Sequence, residues 1–152
     1  MKKQKITLGS ILEIQLQDGY LGYAQILNGG CAFFDYHSKK RPDSFDFLYD
    51  APILFILKVY DSTITKGKWL KVGKIPIKEE LQVLPFKFIQ DSLNPNLFEL
   101  YNPNTGEITP ATKSQCIGLE PAAVWEAEHV ESRLNDFYNG VENIWVKQLA
   151  IQ

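Results

Sequence analysis

The chain has 152 residues, 45% of them hydrophobic and 22% charged, with a formal net charge of −2. That length fits one domain with an ordinary core, expected to span 1–152. The near-neutral charge argues against a nucleic-acid or membrane surface, and the greasiest run, Ala51 to Leu57, is stopped by Lys58 well short of a spanning helix.

Met1-Lys2-Lys3-Gln4-Lys5 is basic, but Gly9, Ser10 and Glu13 interrupt the next stretch, so a cytoplasmic protein without a secretory signal is expected. Leu12, Ile14 and Leu16 alternate with Glu13 and Gln15, the period of a half-buried strand. Asp18-Gly19 signals a hairpin turn with two positive-φ positions. Tyr20 to Leu27 returns as a second strand, with Gly22 marking a bulge or a close backbone approach. After the Asn28-Gly29-Gly30 turn, Cys31 to Tyr36 forms a third strand, giving an antiparallel meander.

Residues 37–50 are polar and read as a loop, with a helical turn around Phe45–Leu48. Ile53 to Tyr60 is the most apolar strand and is expected at the centre of the sheet. Asp61-Ser62-Thr63 suits the cap of a short turn before Gly67. Lys68–Val72 and Lys74–Ile77 read as two short strands around Gly73, and Lys78–Leu84 as helical turn ended by Pro85. A strand follows at Phe86–Gln90. Phe98–Tyr101 and Glu107–Thr109 flank a Gly-containing hairpin loop.

Thr112 with Gln115 fits a capping box opening a short helix that Gly118 ends. Val130, Leu134, Phe137 and Tyr138 share one face at helical spacing, which predicts a helix over about 127–139, stopped by Asn139-Gly140. Trp145–Leu149 is a candidate last strand. The strands need one another to bury a face. The expected class is therefore α+β: a curled antiparallel β-sheet, partly open and barrel-like, with a C-terminal α-helix.

Charge is unevenly distributed. Residues 1–80 hold twelve Lys/Arg and nine Asp/Glu, a balance of +3; residues 81–152 hold four and nine, a balance of −5. Within 118–142, six acids face only Arg133. This reads either as the solvated face of a helix or as an acidic surface for a basic partner.

Catalytic patterns are scarce. The two histidines, His37 and His129, read as surface or capping residues rather than bases beside a nucleophile. No G-x-S-x-G, HExxH or GxxxxGK[ST] pattern occurs. Cys31 and Cys116 are too few for a zinc motif and read as two buried thiols. No cofactor or metal is expected. Asp35 and Asp61, each ending a strand, form a carboxylate pair if they share a rim. Lys66-Gly67-Lys68-Trp69-Leu70-Lys71 is the nearest match to a single-stranded nucleic-acid platform, against the plainer reading of an edge strand with Trp69 half buried.

Several blocks, in order, resemble the immunity 26 family of bacterial polymorphic-toxin systems. They are Gly9–Leu16 with Asp18-Gly19-Tyr20, Gly22–Leu27, Ala32–Asp35, Pro52–Phe55, Val59-Tyr60-Asp61, Gly67-Lys68-Trp69, Gly73, Gln90–Pro95, and Pro110–Glu120 with Ala123–Glu126 and Glu128–Leu134. Ser10 departs from the usual Asp but suits the same turn. The resemblance implies a cytoplasmic, non-enzymatic protein that binds and neutralises a cognate toxin. Some relatives carry a phosphotriesterase label, which keeps a small hydrolase using Asp35 and Asp61 as one alternative, beside a single-stranded nucleic-acid-binding module using Lys66–Lys71. The expected partner-binding residues are Asp35, Tyr60, Asp61 and Trp69 from one rim, with Glu126 and Glu128 from the start of the long helix.

Overall fold

A computed structural model describes residues 3–152; Met1 and Lys2 of the basic N-terminus lie outside the described residues. Six strands form the main sheet: β1 (Ser10–Gln15), β2 (Leu21–Leu27), β3 (Gly30–Ser38), β4 (Ile53–Val59), β5 (Leu70–Lys74) and β9 (Val124–Trp125), in the order β5-β1-β2-β3-β4-β9. All pair antiparallel except the short β4–β9 ladder, which is parallel. A second sheet orders β6 (Lys87–Gln90), β7 (Phe98–Tyr101) and β8 (Ile108–Ala111) as an antiparallel meander. The helices are α1 (Asp61–Thr65), α2 (Lys113–Cys116), α3 (Ala127–Asn139) and α4 (Ile144–Leu149).

The expected α+β class holds, and the main sheet is open, since β5 and β9 are unclosed edges. Register shifts in the β1–β5, β2–β3 and β3–β4 ladders supply the extra twist that curls it. One shift flanks Gly22, where a Cβ would sit 3.1 Å from Leu16 Cδ1. In the β1–β2 turn, Asp18 and Gly19 both take positive φ, 59° and 78°, as the Asp-Gly pair requires.

Four expectations about elements change. β4 is not central; β2 and β3 occupy the middle, and β4 is next to the β9 edge. Its apolar run reflects contacts on both faces of the sheet, Phe55, Leu57 and Val59 on one and Ile53 and Ile56 on the other. Gly73 lies inside a single strand, β5, and no strand follows over 75–78. The Trp145–Leu149 segment is helical, because the Asn143 side chain accepts from Trp145 N and Val146 N at 3.1 Å each and starts α4. The expected cap at the start of α1 is also missing: the cap position before Asp61 is Tyr60, with no side-chain capping bond.

The main sheet is covered on both faces. On one, Leu12, Ile26, Phe33, Leu57 and Trp69 pack with Trp125, Val130 and Leu134, so α3 lies across the strands. On the other, Ile11, Tyr23 and Phe34 meet Phe45, Leu48 and Ile75 from the irregular segments. Consequently β1 is buried on both sides, and Glu13, expected to face solvent, is 8% exposed. A buried carboxylate needs partners. Arg41 supplies a bidentate pair, Nε to Oε2 at 2.8 Å and Nη2 to Oε1 at 2.9 Å, and the Tyr23 hydroxyl donates to Oε2 at 3.0 Å. The Arg41 hydrogen bond outweighs burial and holds the Glu13 carboxyl below its usual range.

Thr112 and Gln115 form the reciprocal capping box read from their spacing. Gly140 ends α3 with φ 70°. Cys31 and Cys116 are free and buried; burial pushes the Cys31 thiol up to about 12.

Candidate functional site

The β4–α1 corner and the N-terminus of α3 meet because β9 pairs with the end of β4, Lys58 opposite Val124 and Val59 opposite Trp125. Tyr60 N then donates to Trp125 O at 3.2 Å. This places Tyr60, Glu126 and Glu128 around one open surface depression that Lys66 and Lys68 also line. Asp61 is exposed next to Tyr60 and receives Lys58 Nζ at 3.5 Å. Tyr60 is 49% exposed. Three of the six expected partner-binding residues, Tyr60, Glu126 and Glu128, therefore share a rim, with Asp61 next to it in sequence.

Trp69 and Asp35 are elsewhere. Trp69 is 1% exposed; its ring meets Phe33 edge-on at 5.7 Å between centroids, and its Nε1 donates to Glu131 Oε2 at 2.9 Å. It holds the rim from behind and presents no face to a partner. Asp35 lies beside Pro52, before β4 begins, whereas Asp61 follows the end of β4. The seven residues of β4 between them, at about 3.3 Å each, separate the two ends by roughly 23 Å. Carboxylates that act on one bond stand within about 10 Å of each other, so Asp35 and Asp61 do not form an acid–base pair.

The basic stretch 66–71 likewise offers no stacking platform. Trp69 is internal, Lys68 Nζ donates to Glu128 Oε1 at 2.6 Å, and Lys71 Nζ donates to Lys5 O and Thr7 Oγ1. The Glu128 bond raises the Lys68 ammonium, and the same bond lowers the Glu128 carboxyl.

The acidic run of 118–142 is mostly engaged inside the molecule. Glu120 takes a bidentate pair from Arg133 at 2.9 Å for each bond, while the Arg133 guanidinium lies 3.9 Å from the Phe55 ring centre. Glu131 accepts from Trp69, Glu128 pairs with Lys68, and Asp136 accepts from Asn143 at 2.9 Å. Among the described residues, only Glu126 and Glu142 of the six take no such bond. Neither a plain solvated face nor a broad acidic surface describes this region. Both histidines have packing roles: His37 stacks on Tyr138 and His129 on Trp145, at 3.7 and 3.6 Å between ring centres.

Sequence reasoning missed a second constellation. Lys87, Tyr101 and Ile108 are directly opposite one another across β6, β7 and β8 and share one face of the small sheet. That face and the β4–β9 edge border an open cavity of about 520 Å³, which Lys58 and Val124 also line. The signal was present as a lysine at the start of an alternating apolar strand.

A protein-family model described as Immunity protein 26 matches residues 7–99. The match takes in the main sheet from β1 to β5, with β6 and the start of β7; the Pro110–Glu126 segment and α3 fall beyond it. No curated protein and no solved structure matches the chain.

Proposed function

The chain belongs to the Immunity protein 26 family, and from that premise we propose that it binds and neutralises a cognate protein toxin of a bacterial polymorphic-toxin system in the cytoplasm. The family match over residues 7–99 carries this reading. The partner is protein alone, the role is occlusion rather than catalysis, and residues 1–152 act as one immunity domain. The hydrolase alternative loses its support, because Asp35 and Asp61 stand at opposite ends of β4.

Tight complexes concentrate their binding energy in a few aromatic and charged anchors inside a wider patch. The rim of Tyr60, Glu126 and Glu128, with Asp61 next to it in sequence, suits that role: an exposed ring stands beside a carboxylate, Glu126, that has no ion-pair partner among the described residues. Co-expression with the toxin encoded beside the gene tests the reading. The two proteins should co-purify and growth should recover; no complex and no rescue sink it. Tyr60→Ala with Glu126→Lys should weaken the complex by at least about tenfold, the scale of one anchor residue. Asp35→Lys, at the far end of the sheet, should leave it unchanged.

A further inference from the structure

The cavity between the small sheet and the β4–β9 edge has the features of a ligand site. Lys87 is only 7% exposed, yet among the described residues it makes no salt bridge and its ammonium no hydrogen bond. The ammonium itself keeps contact with solvent at the mouth of the cavity, but a side chain so largely buried is poorly hydrated and gains from an acceptor. Desolvation lowers the Lys87 ammonium from its ordinary range, with Glu120 opposing that shift and Lys58 adding to it. Glu120 offers little relief, since its carboxylate is held bidentately by Arg133.

Strand register explains why Lys87 faces the cavity. Along β6 alternate residues point to opposite sides. Phe88 packs with Phe98 and Cys116 in the small core, so Lys87 and Ile89 face the other way. Lys58, opposite Val124 across the β4–β9 ladder, brings a second ammonium to the same space, where its one ion pair is the exposed 3.5 Å contact to Asp61. The remaining walls are mainly apolar, from Tyr101, Ile108, Ala123 and Val124. A volume of about 520 Å³ falls in the range of small-molecule sites.

We propose that this cavity binds a small organic acid, its carboxylate between Lys87 and Lys58 and its apolar body against Tyr101, Ile108 and Val124. A carboxylate would give the Lys87 ammonium the charge-assisted acceptor it lacks. The assignment stands apart from toxin binding and does not depend on it.

Hexanoate titrated into lysine-Cε-labelled full-length protein, followed by NMR and calorimetry, tests it. The Lys87 and Lys58 resonances should move together and saturably. Hexanamide, which lacks the charge, and acetate, which lacks the apolar body, should each bind at least about tenfold more weakly. Lys87→Met should weaken hexanoate by a similar factor while Lys87→Arg retains it. Should Lys87→Met fail to fold, Lys58→Met provides the same readout from the more accessible partner. Hexanamide or acetate binding as well as hexanoate, or unshifted Lys87 resonances at saturating hexanoate, overturns the proposal. A leucine-terminated dipeptide with a free carboxylate that binds more tightly than hexanoate assigns the cavity to a polypeptide end and also overturns it.

Discussion

The two sheets solve the same packing problem differently. The six-stranded sheet is covered on both faces, by α3 on one side and by irregular segments carrying Phe45, Leu48 and Ile75 on the other. The three-stranded sheet packs one face, through Phe88, Phe98 and Cys116, and leaves the other along a cavity. Double coverage leaves a buried charge in need of an internal partner, as Glu13 shows with Arg41 and Tyr23, although Trp125 Nε1, in the core of the same sheet, has none among the described residues. Single coverage leaves room for a side chain such as Lys87, which has no ion pair among the described residues.

Truncation separates the two most strongly. Phe33→Ala, in the fully buried core, should cost about 3–5 kcal/mol in chemical denaturation. Phe98→Ala should fall at the low end, near about 3 kcal/mol, because the thin small sheet collapses more easily around a gap. Equal losses near the upper figure would break the contrast. Amide exchange should agree, with β6–β8 opening at lower free energy than β2 and β3.

Gly73→Ala probes how tightly the second face of the large sheet is closed. A Cβ there would stand 2.8 Å from Phe45 Cδ2, and such overpacking costs about 1–3 kcal/mol. A melting temperature equal to wild type would mean that the Phe45 cover is loose.

Glu13 sharpens the comparison through pH. Its carboxyl is held below the ordinary 4.5 by the Arg41 hydrogen bond. A lowered native pKa makes the ionised form stabilising, so the contribution is complete above the unfolded value and disappears as pH falls through the native one. Glu13→Gln should therefore flatten the acid limb of the stability profile below about pH 4.5. An unchanged acid limb would contradict the pairing.

Smaller effects lie at the periphery. Thr112→Ala removes the capping box and should cost about 1 kcal/mol, seen as a shift of the urea midpoint. Lys68→Met breaks the exposed pair with Glu128 and should cost less than about 1 kcal/mol, fading with added salt.

Much of the large sheet was legible because its signals are local. Asp18-Gly19 fixed a turn, Gly22 marked a bulge, and Thr112 with Gln115 announced a cap, each through backbone chemistry within a few residues. The start and stop of α3 were equally local, in Val130, Leu134 and Gly140. What escaped notice depends on distant pairing. The burial of Glu13 requires Arg41, 28 residues away, and the engagement of the acidic run requires Lys68 and Trp69. The shared rim of Tyr60 and Glu126 was legible, yet the distance from Asp35 to Asp61 was not, since it depends on how β3 and β4 are registered. The helical character of 144–149 had a local signal, Asn143, that the β-branched and aromatic side chains outweighed.

The stretch from Glu120 to Trp125 borders both sheets. Phe88 N donates to Glu120 O, Ala122 N to Phe88 O, and Tyr60 N to Trp125 O. In kinetic terms this strip closes late. Its ladder to β4 spans 66 residues of chain, and contacts so distant along the sequence form slowly. The β1–β3 meander can fold while the last third is still being synthesised; this strip cannot. The rim at Tyr60 and Glu126 and the cavity at Lys87 and Val124 lie on either side of it, so both come into being only when the final stitch is made.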